Sequence, residues 1–445
     1  MSKKWVSGAL VGIMASSAML AGCSSGKEAA PQAGAGNSGA GDAKADTKPV
    51  EVSIWTGYPE LDPWFKKMAD EFKKTKPNVT VQVSSFPLRD YEKKVAAAIP
   101  AKNAADIVPM SPNLALRYIQ GGLLQAAPDD VGKQITTTSY DKIIVDKTKV
   151  DNKTYGVPFI KGAGAIFYNK DMLKEAGLTD PPNVDKLLEY AQKLAKKDAS
   201  GNLERAGMSL RLSGGGSGVG EKFWNILAQR GGSIVKEVSP GKYKADYNTE
   251  NGYQTLKMYV DMVHKFKTDD PKVKHDTEAF QTGAAAFYIR ESNVIMDTKT
   301  KAPNLNYGTA PLKANVVSLV NYYVGGSDKA KIQASWDFIN FLTKPENQKS
   351  MVAMSGWLTP RIDLDMADLY KDFPQYQGFF AKQELQMYPD LPEFDEILTK
   401  FADRLATKGF TDASFADQPD KIKAFLDEAA KETNDILKKA GHLAE

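Results

Sequence analysis

Tyr155–Leu178 reads YGVPFIKGAGAIFYNKDMLKEAGL, and the fold turns on how that stretch divides. Pro158 and the Lys161-Gly162 pair interrupt a short apolar run. Ala165–Tyr168 is β-prone, and Asn169 is placed to cap a helix that Asp171, Met172 and Leu173 begin and Gly177 ends. This is the pattern of a chain leaving one α/β lobe, passing through a strand and entering a second lobe. Polar residues sit at the crossing, where a cleft between lobes would hold a ligand.

Ile166–Leu178 keeps almost unaltered the pattern (I/F)-Y-N-K-D-x-(L/F)-x-x-A-G-L, and here the chain resembles extracellular solute-binding proteins of family 1, the carbohydrate-binding lipoproteins of ABC importers. Similar stretches lie on both sides, from about Val50 onward. They include Gly121-Gly122-Leu123-Leu124, Glu221–Gln229 followed by Arg230-Gly231-Gly232, AFQTGAAAFY at Ala279–Tyr288, and Ser355–Arg361. The sequence departs from the family at four places. Ala105-Asp106-Ile107 stands for Pro-Asp-(V/I), and no tryptophan accompanies Asn183 and Asp185. Arg290-Glu291-Ser292 replaces a glycine, and one residue is inserted before Pro360.

The resemblance implies an α/β, two-lobed periplasmic-binding-protein-like fold of class II, similar to maltose-binding proteins, with discontinuous lobes. Lobe 1 would take residues 50–158 and 291–343, and lobe 2 residues 159–290 and 344–440. It also implies capture of an oligosaccharide by closure of the cleft, then delivery to the permease subunits of an ABC importer. No cofactor is implied, and a monomer is expected. The same resemblance admits a monosaccharide, a polyol or glycerol phosphate as ligand.

Read forward, Val50–Trp55 alternates as a half-buried strand. Leu61, Phe65, Met68 and Phe72 form one stripe of a helix, and Val79–Ser84 completes a β-α-β unit. Open sheets of this kind bind ligands outside the carboxyl ends of their strands, which puts Tyr58 and Glu60 at a rim. A helix is expected over Pro181–Lys197, and helices are expected from Tyr370 onward. The glycine-dense Leu210–Gly220 lacks G-x-x-x-x-G-K-[ST] spacing. A mobile loop beside the cleft is the simpler reading.

The N-terminus carries Lys3 and Lys4, then the apolar and small-residue stretch Trp5–Leu20, too short and weak for a committed membrane span. It ends Leu20-Ala21-Gly22-Cys23, a lipoprotein cleavage pattern. Residues 1–22 read as a signal peptide and Cys23, the single cysteine, as the lipidation site. Acyl chains there contribute about 0.8 kcal/mol per buried methylene, enough for two chains to anchor the protein on the extracytoplasmic face of the cell membrane. Residues 23–49 are Gly-, Ala- and Ser-rich with no aromatic, and read as a flexible tether.

Lys and Arg number 58 against 55 Asp and Glu, and no basic stripe interleaved with aromatics supports a nucleic-acid partner. His264, His275 and His442 are scattered, which speaks against a metal site. There is no G-x-S-x-G and no H-E-x-x-H. A binder without turnover is the leading reading, with an extracellular glycosidase or an adhesion lipoprotein as remote alternatives.

Sugars offer flat C–H faces edged by hydroxyls, so aromatic planes and charged hydrogen-bonding groups together make the site. Tyr58 after a strand-end glycine, Trp357 in a Gly-flanked turn, Tyr288 at a strand end and Trp224 beyond the glycine loop are the aromatic candidates. Glu60, Asp106, Lys161, Arg290 and Glu291 are the polar ones, with Asn113 and Arg361 weaker. For each, core packing, helix-end charge or a hinge ion pair is the competing role. Trp64 and Trp336 have helical spacing and read as core.

Overall fold

The computed structural model describes Lys48–Glu445 apart from residues 274 and 275. The expected signal peptide, the lipidation site Cys23 and the tether up to Thr47 lie outside the described residues.

The first unit follows the sequence pattern closely. Strand β1 (Val50–Thr56) buries Val52, Ile54 and Thr56 on alternate positions. Helix α1 (Asp62–Thr75) then buries Trp64, Phe65, Met68 and Phe72 along one face. Strand β2 (Val79–Ser85) returns parallel to β1. Helix α2 (Leu88–Ala98) leads to the short, wholly buried β3 (Ile107–Met110), which pairs on the other side of β1.

Strands β4 (Val157–Gly162) and β5 (Gly164–Asn169) carry the crossing. Asn169 caps the next helix, its side chain accepting from the N–H groups of Asp171 and Met172 at 3.0 Å each. Beyond lie β6 (Leu203–Ser209), helix α3 (Gly218–Ala228), helix α4 (Glu250–Val260) and β7 (Ala285–Glu291). Then come β8 (Tyr307–Ala310) and the long β9 (Ala314–Val324), followed by helices α5 (Lys329–Leu342) and α6 (Pro345–Ser355). Strand β10 (Glu384–Met387) and helices α7 (Phe394–Arg404) and α8 (Pro419–Lys439) complete the chain.

Two sheets result. In the first, β2, β1 and β3 are joined by antiparallel β9, which also pairs with β4 and β10. In the second, the order is β8-β5-β7-β6, closed by the short strand Lys196–Lys197. Neighbouring residues of the second sheet enter different cores. Ile166, Met208, Phe287 and Ile289 pack with α3, α4, α7 and α8. Phe167 and Tyr288 face the core that also holds Trp64, Phe65 and Trp336.

The chain changes sheets at Ala163, with β4 paired to β9 through Gly162 opposite Ser318. A Cβ at Gly162 would lie 2.2 Å from Ser318 Oγ, so a larger residue there would force that hydroxyl to turn away. Helix α6 packs on α1, and its Met351 and Val352 enter the core that holds Trp64 and Trp336. Two expectations about helices need correction, those for Pro181–Lys197 and for the chain after Tyr370. The segment after Tyr370 is not all helical, because Glu384–Met387 adds a strand beside Ala314–Val317. The helix expected over Pro181–Lys197 is confined to Leu187–Leu194. Two prolines and the turn in which Asn183 Oδ1 accepts from Asp185 N precede it.

Asn315 fastens the crossing. Its Oδ1 accepts from Gly164 N at 2.9 Å and its Nδ2 donates to Gly164 O at 2.7 Å. A buried side-chain amide thus substitutes for a strand partner where the chain leaves one sheet for the other.

Candidate ligand-binding cleft

Parallel strands of both sheets end at one cavity of about 370 Å³. Strand β1 delivers Gly57-Tyr58-Pro59-Glu60, β2 leads to Arg89 and Glu92 on α2, and β3 delivers Met110 and Ser111. From the second sheet, β6 leads to Arg211 and to Ser217 and Glu221 at the start of α3, while β7 ends in Arg290 and Glu291. This is the position at which open α/β sheets hold ligands. A second recess of about 750 Å³ shares Glu60, Arg290 and Asn293 with it. No aromatic lines that recess.

One wall is an aromatic corner. Tyr58 and Trp357 meet edge to face, centroids 5.5 Å apart at 81°. Trp357 donates its indole N–H to Glu60 Oε1 at 2.8 Å. Gly356 makes the turn, with φ +81°, and a Cβ there would press within 3.0 Å of the Asn293 backbone. Burial raises the Tyr58 phenol, and Glu60, Glu92 and Glu221 add to the effect.

The opposite wall is an ionic layer. Glu291 pairs with Lys222, and Arg290 Nε stands 3.3 Å from Glu291 Oε2. Arg290 Nη1 reaches Asp276 Oδ2 at 3.3 Å. Burial opposes ionisation of Glu291, but Lys222 and Arg290 outweigh it and hold that carboxyl well below its ordinary value. For Arg290, burial is likewise overcome by Glu291 and Asp276. Tyr388 donates to Glu221 Oε2 at 2.8 Å. Burial raises the Asp395 carboxyl. The walls touch where Arg89 Nη2 donates to Ser217 Oγ at 3.3 Å.

Tyr58, Glu60, Arg290, Glu291 and Trp357, all singled out from sequence, therefore line one cavity. Four other candidates do not. Trp224 is 1% exposed and sits one layer back, its ring 5.4 Å from both Tyr388 and Phe394 and its indole bonded to Gln386 Oε1 at 2.9 Å. Tyr288 is buried against Phe167 and Phe280 on the far face of the second sheet. Asp106 is a strand clamp, its Oδ2 accepting from Ser53 N at 2.8 Å and Ser53 Oγ at 2.7 Å. Lys161 lies along Leu358, its backbone N–H donating to Leu358 O at 3.0 Å. Burial lowers its ammonium, and Asp141 opposes that. Asn113 is buried within Pro112–Gln120, and Arg361 serves Asp363 and the Thr343 carbonyl.

The sequence model of the bacterial extracellular solute-binding protein family matches residues 67–378. The chain belongs to that family. It is 25% identical to the sn-glycerol-3-phosphate-binding periplasmic protein UgpB of Pectobacterium atrosepticum, over 75% of this chain and 77% of that one. Its fold matches an ABC transporter solute-binding protein of Thermotoga lettingae bound with α-D-tagatose, with TM-score 0.72 and 19% identity over 87% and 99% of the two chains. It equally matches an ABC substrate-binding protein of Listeria monocytogenes in complex with cycloalternan, with TM-score 0.72, 20% identity and the same coverage. The architecture is the two-lobed, maltose-binding-protein-like one.

In this solute-binding protein, several cleft residues escaped the sequence reading. Arg89 and Arg211 follow strands β2 and β6, so the strand-end rule that found Tyr58 points to them too. Glu221 sits in the first turn of α3, and Tyr388 and Asp395 arrive from a C-terminal segment with no local signal. Among the described residues no group of three or more His, Cys, Asp or Glu is arranged to hold a metal ion. No helix among them is long and apolar enough to cross a membrane.

Proposed function

We propose that the chain is the ligand-capturing component of an ABC sugar importer, and that it binds an oligosaccharide in the cleft without altering it. The observation that carries this reading is the Tyr58–Trp357 corner, set opposite a layer of carboxylates and guanidiniums. The aromatic planes suit the C–H faces of a pyranose, and the charged groups suit its hydroxyls. The adjoining 750 Å³ recess gives length for more than one sugar ring. The relatives include a melibiose/raffinose/stachyose-binding protein of Bacillus subtilis, which supports the same class of ligand.

Binding works as a population shift. A ligand that touches both walls stabilises the form in which they approach, and the Arg89–Ser217 contact is one element of that form. On this reading the lobes divide at Ala163, after Glu291 and within β9. Cys23 carries acyl chains, and the tether keeps the folded part near the permease at high effective concentration. The protein acts as a monomer.

A thermal-shift screen of the chain against an oligosaccharide panel, followed by tryptophan-fluorescence titration of the best ligand, tests the reading. Saturable binding with the saccharide recovered intact supports it. Cleavage of the saccharide, or no stabilisation by any member, overturns it.

A further inference from the structure

We infer that the saccharide taken up in this cleft bears a carboxylate, received by Arg211; the inference rests on the saccharide reading above and narrows it. Arg211 lines the cavity from the segment after β6. Its backbone is left-handed, at φ +54°, a conformation uncommon for residues other than glycine. Its guanidinium lies over Gly218, where a Cβ would come within 2.5 Å of Nη2. Nε is buried with no hydrogen-bond partner, and the side chain forms no ion pair among the described residues.

The surrounding carboxylates are engaged elsewhere. Glu291 is held by Lys222 and Arg290, Glu221 by Tyr388 and Lys222, Glu92 by Arg89 at 2.7 Å, and Asp276 by Arg290. Burial and the neighbouring Arg290 cation lower the Arg211 guanidinium, while Asp276, Glu291 and Glu221 act against them. A half-buried cation with no ion pair of its own is thus set beside a like charge, and its buried Nε has no acceptor, an arrangement that an anionic partner would relieve. A planar carboxylate matches the donor fork of a guanidinium.

The charge count favours a monoanion over a phosphate dianion. The cavity wall carries Glu60, Glu92, Glu221, Glu291 and Asp395 against Arg89, Arg211 and Arg290. Beyond the single charge that Arg211 receives, a second negative charge meets this excess of carboxylates.

The test is calorimetric titration of the full chain with trigalacturonate, with the same trisaccharide fully methyl-esterified, and with glycerol 3-phosphate. The expected result is at least tenfold tighter binding of the free acid than of the ester, with Arg211→Gln collapsing that ratio to within about twofold. Arg211→Lys is expected to retain part of the preference. Equal affinity for acid and ester in the unmodified chain overturns the inference while leaving the saccharide reading intact. A preference that survives Arg211→Gln also overturns it, as does tight binding of glycerol 3-phosphate alone. If no neutral or acidic saccharide in the wider panel binds, the saccharide reading itself fails.

Discussion

Arg89 on α2 and Ser217 at the start of α3 are joined across the cleft at 3.3 Å, so the two walls are tied by a side chain from each side. Arg89 is steadied from behind by Glu92 at 2.7 Å. Gly216 gives it room, since a Cβ there would lie 2.4 Å from the guanidinium carbon. Ser217→Ala is expected to lower saccharide affinity by about two- to tenfold, the range of one hydrogen bond worth about 0.5–1.5 kcal/mol. Calorimetric titration checks this, and an unchanged affinity would show that the contact does not belong to the loaded form.

Trp357→Ala removes one plane of the aromatic corner and leaves Glu60 without its indole donor. A fall in saccharide affinity of about ten- to a hundredfold is expected, with little loss of stability because the ring is only half-buried. Fluorescence titration and a thermal melt on the same sample separate the two effects.

Trp224→Ala should behave in the opposite way. Its indole fills the core beneath Tyr388 and Phe394, so truncation is expected to cost about 3–5 kcal/mol of stability. Urea unfolding measures this. A stable variant that had merely lost ligand would place Trp224 in the cleft after all.

The contrast between these two tryptophans marks what the sequence could convey. Trp357 sits in the turn that follows α6, beside Gly356, and connecting turns lie at the surface because a buried one would leave backbone polar groups unsatisfied. Trp224 sits in α3, a helix buried on nearly every side. No local pattern says which residue of such a helix meets a cleft. The β1-α1-β2 unit was legible because Val52, Ile54, Trp64, Phe65 and Phe72 keep one periodicity each. The exchange of sheets at Ala163 leaves no mark in the sequence, because β4 and β5 are equally buried. Strand β10, Tyr388 and Asp395 depend on tertiary contacts far apart in sequence, and only the folded chain reveals them.

Lys222 and Glu291 form an ion pair with side chains 6% and 13% exposed. Lys222→Met leaves Glu291 with Arg290 as its remaining cation, and is expected to destabilise the fold by about 3–5 kcal/mol. Glu291 is held below its unfolded value, so its contribution is present above that value and is lost as pH falls through the acid range. The variant should therefore lose most of this acid-dependent slope in urea unfolding below about pH 4.5. A variant as stable as the parent at neutral pH would contradict the pair's role.

Asp269 has the reverse sign. Its carboxylate accepts from Leu210 N at 2.8 Å and Asp270 N at 2.9 Å, just before Arg211, yet burial pushes its pKa up from 3.8 to about 7. The folded chain binds the proton more tightly than the unfolded one. Stability from this group is fully present below about pH 4 and declines as pH rises through about 7. Asp269→Asn should remove that decline, so the stability difference between variant and parent shifts in the variant's favour from pH 5 to pH 8. A difference constant with pH would contradict the raised value.

The most direct test of the central claim is a crystal structure of the chain grown with the saccharide that stabilises it best in the thermal screen. The account predicts an intact sugar between Tyr58 and Trp357 on one side and Arg211 and Glu221 on the other, touching both walls. A saccharide bound elsewhere with this cleft empty, or a cleaved product within it, would contradict the account.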